Sequence, residues 1–134
     1  MSTSDNKELI RAAFEAWTKG EGDFFRLLAD DVRWTITGSS PVAGTYTSRQ
    51  DFLDRAIAPI SARLSQPIRP TVQSILAEGD QVVALWDGHA TATDGLPYDN
   101  TYCWVMRVLD GKVTAATAFF DSPHLTDLFE RVAV

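Results

Sequence analysis

The chain has 134 residues, 45% hydrophobic and 22% charged, the composition of one globular domain with a sizeable core. A net charge of −6 without any basic run excludes an electrostatic footprint for nucleic acid or an anionic membrane. The single cysteine, Cys103, excludes an intramolecular disulfide and any multi-cysteine metal site, and its usage fits a reducing cytoplasm.

The N-terminal segment is polar and lacks the apolar core of a signal peptide. Asp5 with Glu8 three residues on suggests a capping box, after which Leu9, Ile10, Ala13, Phe14 and Trp17 recur at helical spacing until Lys19-Gly20. A second short helix is expected from Asp23, with Phe24, Leu27 and Leu28 on one side and Asp30-Asp31 at its end. Val32, Trp34 and Ile36 alternate as a strand, followed by the turn-rich stretch Gly38 to Gly44. Ser48 and Asp51 mark another helix start, and Pro59 kinks or ends that helix.

From residue 68 the pattern turns to β. Strands are expected over Ile68–Ala77, Gln81–Thr93, Tyr98–Leu109 and Lys112–Asp121, separated by Glu78-Gly79-Asp80, Asp94-Gly95 and Asp110-Gly111. A last helix runs from Pro123 to Arg131. Helices first and an antiparallel meander after them give a single α+β domain over residues 1–134, with the helices on one face of a curved sheet.

Two-residue turns at Asp94-Gly95 and Asp110-Gly111 would set Tyr102 opposite Phe119 and Asn100 opposite both Asp121 and His89. One face would then carry Asp87, His89, Asn100, Tyr102, Trp104, Met106, Thr117, Phe119 and Asp121, a mixture of aromatic and polar groups suited to a ligand pocket. A bulge at Gly95-Leu96-Pro97 would shift this register by one and exchange Asp87 and His89 for Trp86 and Gly88.

Each candidate has two readings. Asp121 closes an apolar strand, where a buried carboxylate needs a partner and can act as a general acid or base; it can equally cap the helix beginning at Ser122-Pro123. His89 is a proton shuttle or a hydrogen-bonded structural residue, and Asp87 a polar ligand contact or a solvated bend. Asn100 and Tyr102 orient a ligand oxygen or simply pack across strands. Trp34, Trp104, Phe119, Phe14 and Trp17 are the expected apolar wall. No residue set has metal-ligand spacing, and no phosphate-binding glycine loop or nucleophile elbow is present, so neither metal nor cofactor is expected.

The order of these segments resembles the SnoaL-like group of the nuclear transport factor 2-like superfamily over nearly the whole chain. The resemblance is carried by Lys19-Gly-Glu-Gly-Asp23, Leu28-Ala-Asp-Asp-Val-Arg-Trp34 and Pro41-Val-Ala-Gly44 in the first half. In the second half it is carried by Asp94-Gly-Leu-Pro-Tyr-Asp-Asn-Thr-Tyr102, Val105-Met-Arg-Val-Leu-Asp-Gly-Lys-Val113 and Phe119-Phe-Asp121, with Ala118 where the group usually has Glu. It implies a cone-shaped α+β fold of cystatin-like type: a curved mixed or antiparallel sheet with N-terminal helices over its concave face, usually a homodimer through the outer sheet face. It also implies a carboxylate doing acid/base work at the position of Asp121. The expected protein is then a cofactor-independent isomerase, cyclase or hydratase/hydrolase on a small apolar or aromatic, carbonyl- or hydroxyl-bearing molecule, with His89 relaying or tuning the proton on the strength of its own pKa, or else a non-catalytic binder on the same fold. The partners of a ketosteroid isomerase are missing, since Ile36, the Ala13–Phe14 region and Trp104 stand at the corresponding places. Gln81–Thr93 likewise lacks the Arg of the similar epoxide hydrolases.

Overall fold

A computed structural model describes residues 2–134. Helix α1 spans Thr3–Thr18, and its capping box is formed by Ser2 and Asp5, three residues ahead of the expected pair. Ser2 Oγ accepts from the Asp5 amide at 3.1 Å, while the Ser2 amide donates to Asp5 Oδ2. Gly20, at φ 73°, lets the chain leave the helix at the expected place. The helix then docks on the sheet through Trp17, whose indole N–H donates to Ile68 O at 3.0 Å.

The expected second helix is a single 3₁₀ turn, Phe24–Leu27, capped by Asp23. Asp30 and Asp31 do not end it; they lie inside strand β1, Leu28–Ile36. Strand β2, Gly44–Tyr46, emerges from the turn-rich stretch and pairs antiparallel with β1. Ser48 caps the helical segment that follows, its Oγ accepting from the Asp51 amide at 3.0 Å. That segment is α2 (Arg49–Phe52), a π-helical stretch over Leu53–Ile57, and α3 (Ala58–Ser61). Pro59 has no N–H to donate, and the hydrogen bonds widen just before it.

Strands β3 (Leu64–Glu78), β4 (Gln81–Ala92), β5 (Pro97–Leu109) and β6 (Lys112–Phe120) form the meander, and α4 covers Ser122–Arg131. The curved, unclosed sheet has the order β2-β1-β6-β5-β4-β3, with β1 parallel to β6 and every other pair antiparallel, so the fold is α+β as expected. The core fills the concave side, where Phe14, Trp34, Trp86, Phe24 and Phe52 are almost wholly buried.

Two local events reset the register. Between β4 and β5 the Ala92 amide bonds to Leu96 O and Gly95 takes φ 86°, so the loop holds three residues, not two. Between β5 and β6 the pairing starts Leu109↔Lys112 as expected, then slips between Arg107 and Val108 at a bulge. Because side chains alternate with a period of two, each event turns a set of residues over.

Trp86 and Gly88 therefore replace Asp87 and His89 on the concave face, opposite Tyr102 and Asn100. Gly88 has to be small there. A Cβ would stand 2.9 Å from a Tyr102 ring carbon and 3.1 Å from a Trp86 ring carbon. No helix among the described residues is long and apolar enough to cross a membrane.

Candidate ligand cavity

The rings over the concave face do not close completely. A cavity of about 340 Å³ is lined by Trp17, Asp23, Phe25, Ile57, Ile60, Ser61, Leu64, Pro67, Ile68, Trp86, Tyr102 and Trp104. Asp23, Ser61 and Pro67 are exposed and form its mouth, while Trp86, Tyr102 and Trp104 are buried at its inner wall. A smaller void of about 50 Å³ shares Ile57, Ile60, Tyr102 and Trp104 with it and reaches inward to Trp34, Tyr98 and Phe120. The π-helical stretch thus supplies Ile57 to both, and the helical segment forms one wall.

Polar chemistry at the inner end comes from β5. Alternation puts Tyr98, Asn100, Tyr102 and Trp104 on one face, all buried. Asn100 is saturated: Nδ2 donates to Tyr98 Oη at 3.0 Å and to Asp121 O at 3.1 Å, while Oδ1 accepts from the Thr101 and Asp121 amides. The Tyr98 and Tyr102 hydroxyls are 3.2 Å apart and share one hydrogen bond. Two hydroxyls carry two protons, and their mutual bond uses one. Whichever tyrosine donates, the second proton meets no protein acceptor among the described residues.

Desolvation is the main influence on both tyrosines. It pushes Tyr98 above the ordinary tyrosine value, although hydrogen bonds from Tyr102 and Asn100 pull the other way. It pushes Tyr102 well above that value, and the neighbouring Tyr98 adds to the effect. The pair is therefore neutral across the physiological range and acts as a hydrogen-bond donor.

Of the expected site residues, Trp17, Trp34, Tyr102 and Trp104 line the cavity or its inner void. Asn100 sits behind the tyrosines and orients them. Phe14 is a core residue, packed on Trp86 with centroids 5.5 Å apart; its edge lines only an open groove between α1 and β3. Asp87 and His89 are on the outer face because of the three-residue loop. There Asp87 accepts from Gln73 and Thr101, and His89 pairs with Asp99 at 3.1 Å. Phe119 is also outside, 47% exposed, because the β6 bulge puts Phe120 opposite Tyr102 instead.

Asp121 is the largest correction. Its backbone is clamped by Asn100, which leaves the carboxylate pointing away from the cavity, 50% exposed and 3.5 Å from His124 Nε2. It makes no side-chain cap to α4 either. Neither the buried acid nor the helix cap is what this carboxylate is. Sequence reasoning missed Tyr98, although stepping back by two from Asn100 would have found it. It also missed Phe25, Ile57, Ile60 and Asp23, which only chain folding brings to the cavity. No cluster of three His, Cys, Asp or Glu side chains suited to a metal occurs among the described residues.

A curved sheet wrapped around an apolar cavity, with helices over its concave side, defines the nuclear transport factor 2-like class of fold. The SnoaL-like domain matches residues 10–116, and the chain belongs to that family. The matched stretch stops short of Asp121. A similar solved structure is an NTF2-like protein of unknown function from Burkholderia pseudomallei: 21% identity, 92% of this chain and 96% of that one, TM-score 0.76. Bal32a, from a soil-derived mobile gene cassette, is 18% identical over 95% and 98% of the two chains with a TM-score of 0.78. TerC, co-crystallised with polyporic acid, is 21% identical over 93% and 98% with a TM-score of 0.74. No curated protein matches the sequence.

The tyrosines carry a prediction for stability against pH. All three in the chain, Tyr46, Tyr98 and Tyr102, are raised by burial above the ordinary tyrosine value of 10.0. Above about pH 10 the unfolded chain loses phenolic protons that the folded chain keeps, so stability present below that pH is lost as pH rises, by up to ~1.4 kcal/mol per pH unit for each group. Denaturant titrations from about pH 9 to about pH 11.5 should show this fall, and a Tyr98→Phe/Tyr102→Phe variant should show a distinctly shallower one.

Proposed function

We propose that the chain binds a small, flat, mostly apolar molecule bearing an acceptor oxygen, and that the neutral Tyr98–Tyr102 pair holds that oxygen. One observation carries this reading: a hydroxyl proton with no protein acceptor at the inner end of an aromatic cavity. Apolar walls with a few convergent polar groups are the usual build of a small-molecule site. A fold neighbour co-crystallised with polyporic acid lends support to an oxygen-bearing ligand. The setting of the reading is the cytoplasm, where the lone Cys103 stays a thiol.

A catalytic reading rests on the same pair. Donors in a desolvated site stabilise negative charge growing on a bound carbonyl oxygen, which favours loss of a proton from the adjacent carbon. Among the described residues, Asp23 is the carboxylate that lines the cavity. Asp23, at the mouth, would take up that proton through water entering the cavity, the acid/base role assigned to Asp121 on sequence alone.

A second copy of the chain is the partner we infer for the outer face. There Leu85, Cys103 and Phe119 are neighbours across three strands, with Val83 and Val105 beside them and polar Asp87, Thr101 and Arg107 around them. A half-exposed apolar strip with a polar rim is typical of an interface.

Titration with 1-tetralone and with its hydrocarbon, tetralin, tests the ligand reading through tryptophan fluorescence. The ketone should bind the wild type more tightly, and Tyr98→Phe/Tyr102→Phe should lower its affinity about fivefold, ~1 kcal/mol, without affecting tetralin. Asp121→Asn should leave both unchanged. Equal responses of ketone and hydrocarbon would count against the tyrosine pair. For catalysis, the protons beside the carbonyl of 1-tetralone should exchange in D₂O faster with the wild type than with Asp23→Asn, as followed by NMR; identical rates would leave binding alone. Light scattering should give twice the chain mass, and Phe119→Glu should halve it; a wild-type monomer would refute the dimer.

A further inference from the structure

The inner void differs in kind from the cavity in front of it. Its surface is almost entirely carbon, supplied by Ile36, Val42, Phe52, Ala118, Phe120 and Leu125 together with the residues it shares with the cavity. At about 50 Å³ it has room for one or two carbon atoms, since a water takes roughly 30 Å³ in the liquid. A water would be held poorly there, because a buried water needs several polar partners and spaces walled by carbon stay dry. Ala118, paired with Trp104 across β5 and β6, is the smallest side chain on the wall. Ile57, Ile60, Tyr102 and Trp104 border both spaces and form the partition between them. Two of the four are fixed. Tyr102 is stacked on Trp86 at 4.2 Å and bonded to Tyr98, and Trp104 is wedged between Trp34 at 5.0 Å and Trp86 at 4.9 Å. The isoleucines are half-buried aliphatic chains on the helical segment, and a change of rotamer is enough to part them.

We propose that the inner void is an alkyl subsite of the ligand site, entered past Ile57 and Ile60 and kept open by the small side chain of Ala118. The inference rests on the reading of the cavity as a ligand site and narrows the ligand class. Tyr98 borders the inner void and Tyr102 borders both spaces, so an oxygen held by this pair lies where the two adjoin. The group that enters the void is therefore carried on the carbonyl carbon itself. The flat part of the ligand stays in the cavity, against Trp17, Trp86 and Trp104. An aryl ketone with an alkyl chain of one or two carbons is the class that fits.

The test uses acetophenone, propiophenone and butyrophenone, whose chains have one, two and three carbons. Calorimetric titration of the wild type should show a gain of about fourfold from acetophenone to propiophenone, the value of one more buried carbon, and no further gain to butyrophenone. Ala118→Val, which adds two carbons to the wall, should reduce the first gain to less than about 1.5-fold. Ile57→Ala, which cuts back the partition, should let the gain continue to butyrophenone. In methyl-labelled wild-type protein, the chain methyl of propiophenone should show nuclear Overhauser contacts to the methyls of Leu125, which lines the inner void and not the cavity. Contacts only to Leu64 and Ile68, which line the cavity and not the void, overturn the subsite, as does an equal gain in the wild type and Ala118→Val. The wild-type spectrum decides the matter even where a variant fails to fold. If none of the ketones binds the wild type, the cavity reading itself falls and takes this inference with it. If they bind and Tyr98→Phe/Tyr102→Phe weakens all three while the chain reaches only Leu64 and Ile68, only the alkyl subsite fails.

Discussion

Trp104 stands at the junction of the elements that make this molecule. Its ring meets Trp34 of β1 at 5.0 Å, Trp86 of β4 at 4.9 Å, Phe24 of the 3₁₀ turn at 5.3 Å and Phe14 of α1 at 5.8 Å. The first two contacts are edge-to-face, the arrangement that aromatic quadrupoles favour. Planar rings joined this way make a stiff lattice, and Trp104 also lines the cavity beside it. The same rings that hold helix and sheet together, Trp17, Trp86 and Trp104, form the cavity wall. Core and cavity are one structure, and a change at Trp104 would be felt in both.

The polar end of the cavity follows a different logic. A buried amide is tolerable only when its groups are satisfied, and Asn100 meets that condition by bonding to Tyr98, Thr101 and both backbone groups of Asp121. The result is a clamp joining the end of β6 to β5 just before α4. The clamp also explains Asp121. Its main chain is drawn in to Asn100, and its carboxylate stays in solvent near His124, where its charge costs little. What meets the cavity is neutral at its inner end, the tyrosine hydroxyls, with Asp23 at the rim as the charged member. Such a site favours a ligand with acceptor oxygens and offers nothing buried to pair with a cation.

Much of this is legible in the chain. Helix α1, the Ser48 cap, the four long strands and the last helix follow from periodicity and turn chemistry, and the aromatic wall from the spacing of Trp17, Trp34 and Trp104. Alternation leads to an expected Asn100–Asp121 pair, whereas the bulge sets Phe120 opposite Tyr102 and Asn100 reaches the Asp121 backbone through its side chain. It does not reveal the bonding groups, because it says which residues meet and not whether backbone or side chain does the bonding. His89, Asp87 and Phe119 fall on the opposite face from the expected one for a single reason. One extra loop residue, Thr93, and one bulge near Val108 each shift a strand by one, and a period of two turns that into a complete reversal.

The sequence by itself therefore determined the elements, their order and the apolar character of the concave face, since those depend on local propensity and on patterns within one segment. Only the tertiary structure decided which polar groups share the cavity. That choice depends on register between segments, on a π-helical stretch brought over the sheet, and on which donors find partners once every strand is in place. A carboxylate that closes an apolar strand reads as buried along the chain; in three dimensions the strand ends there and the charge goes to water.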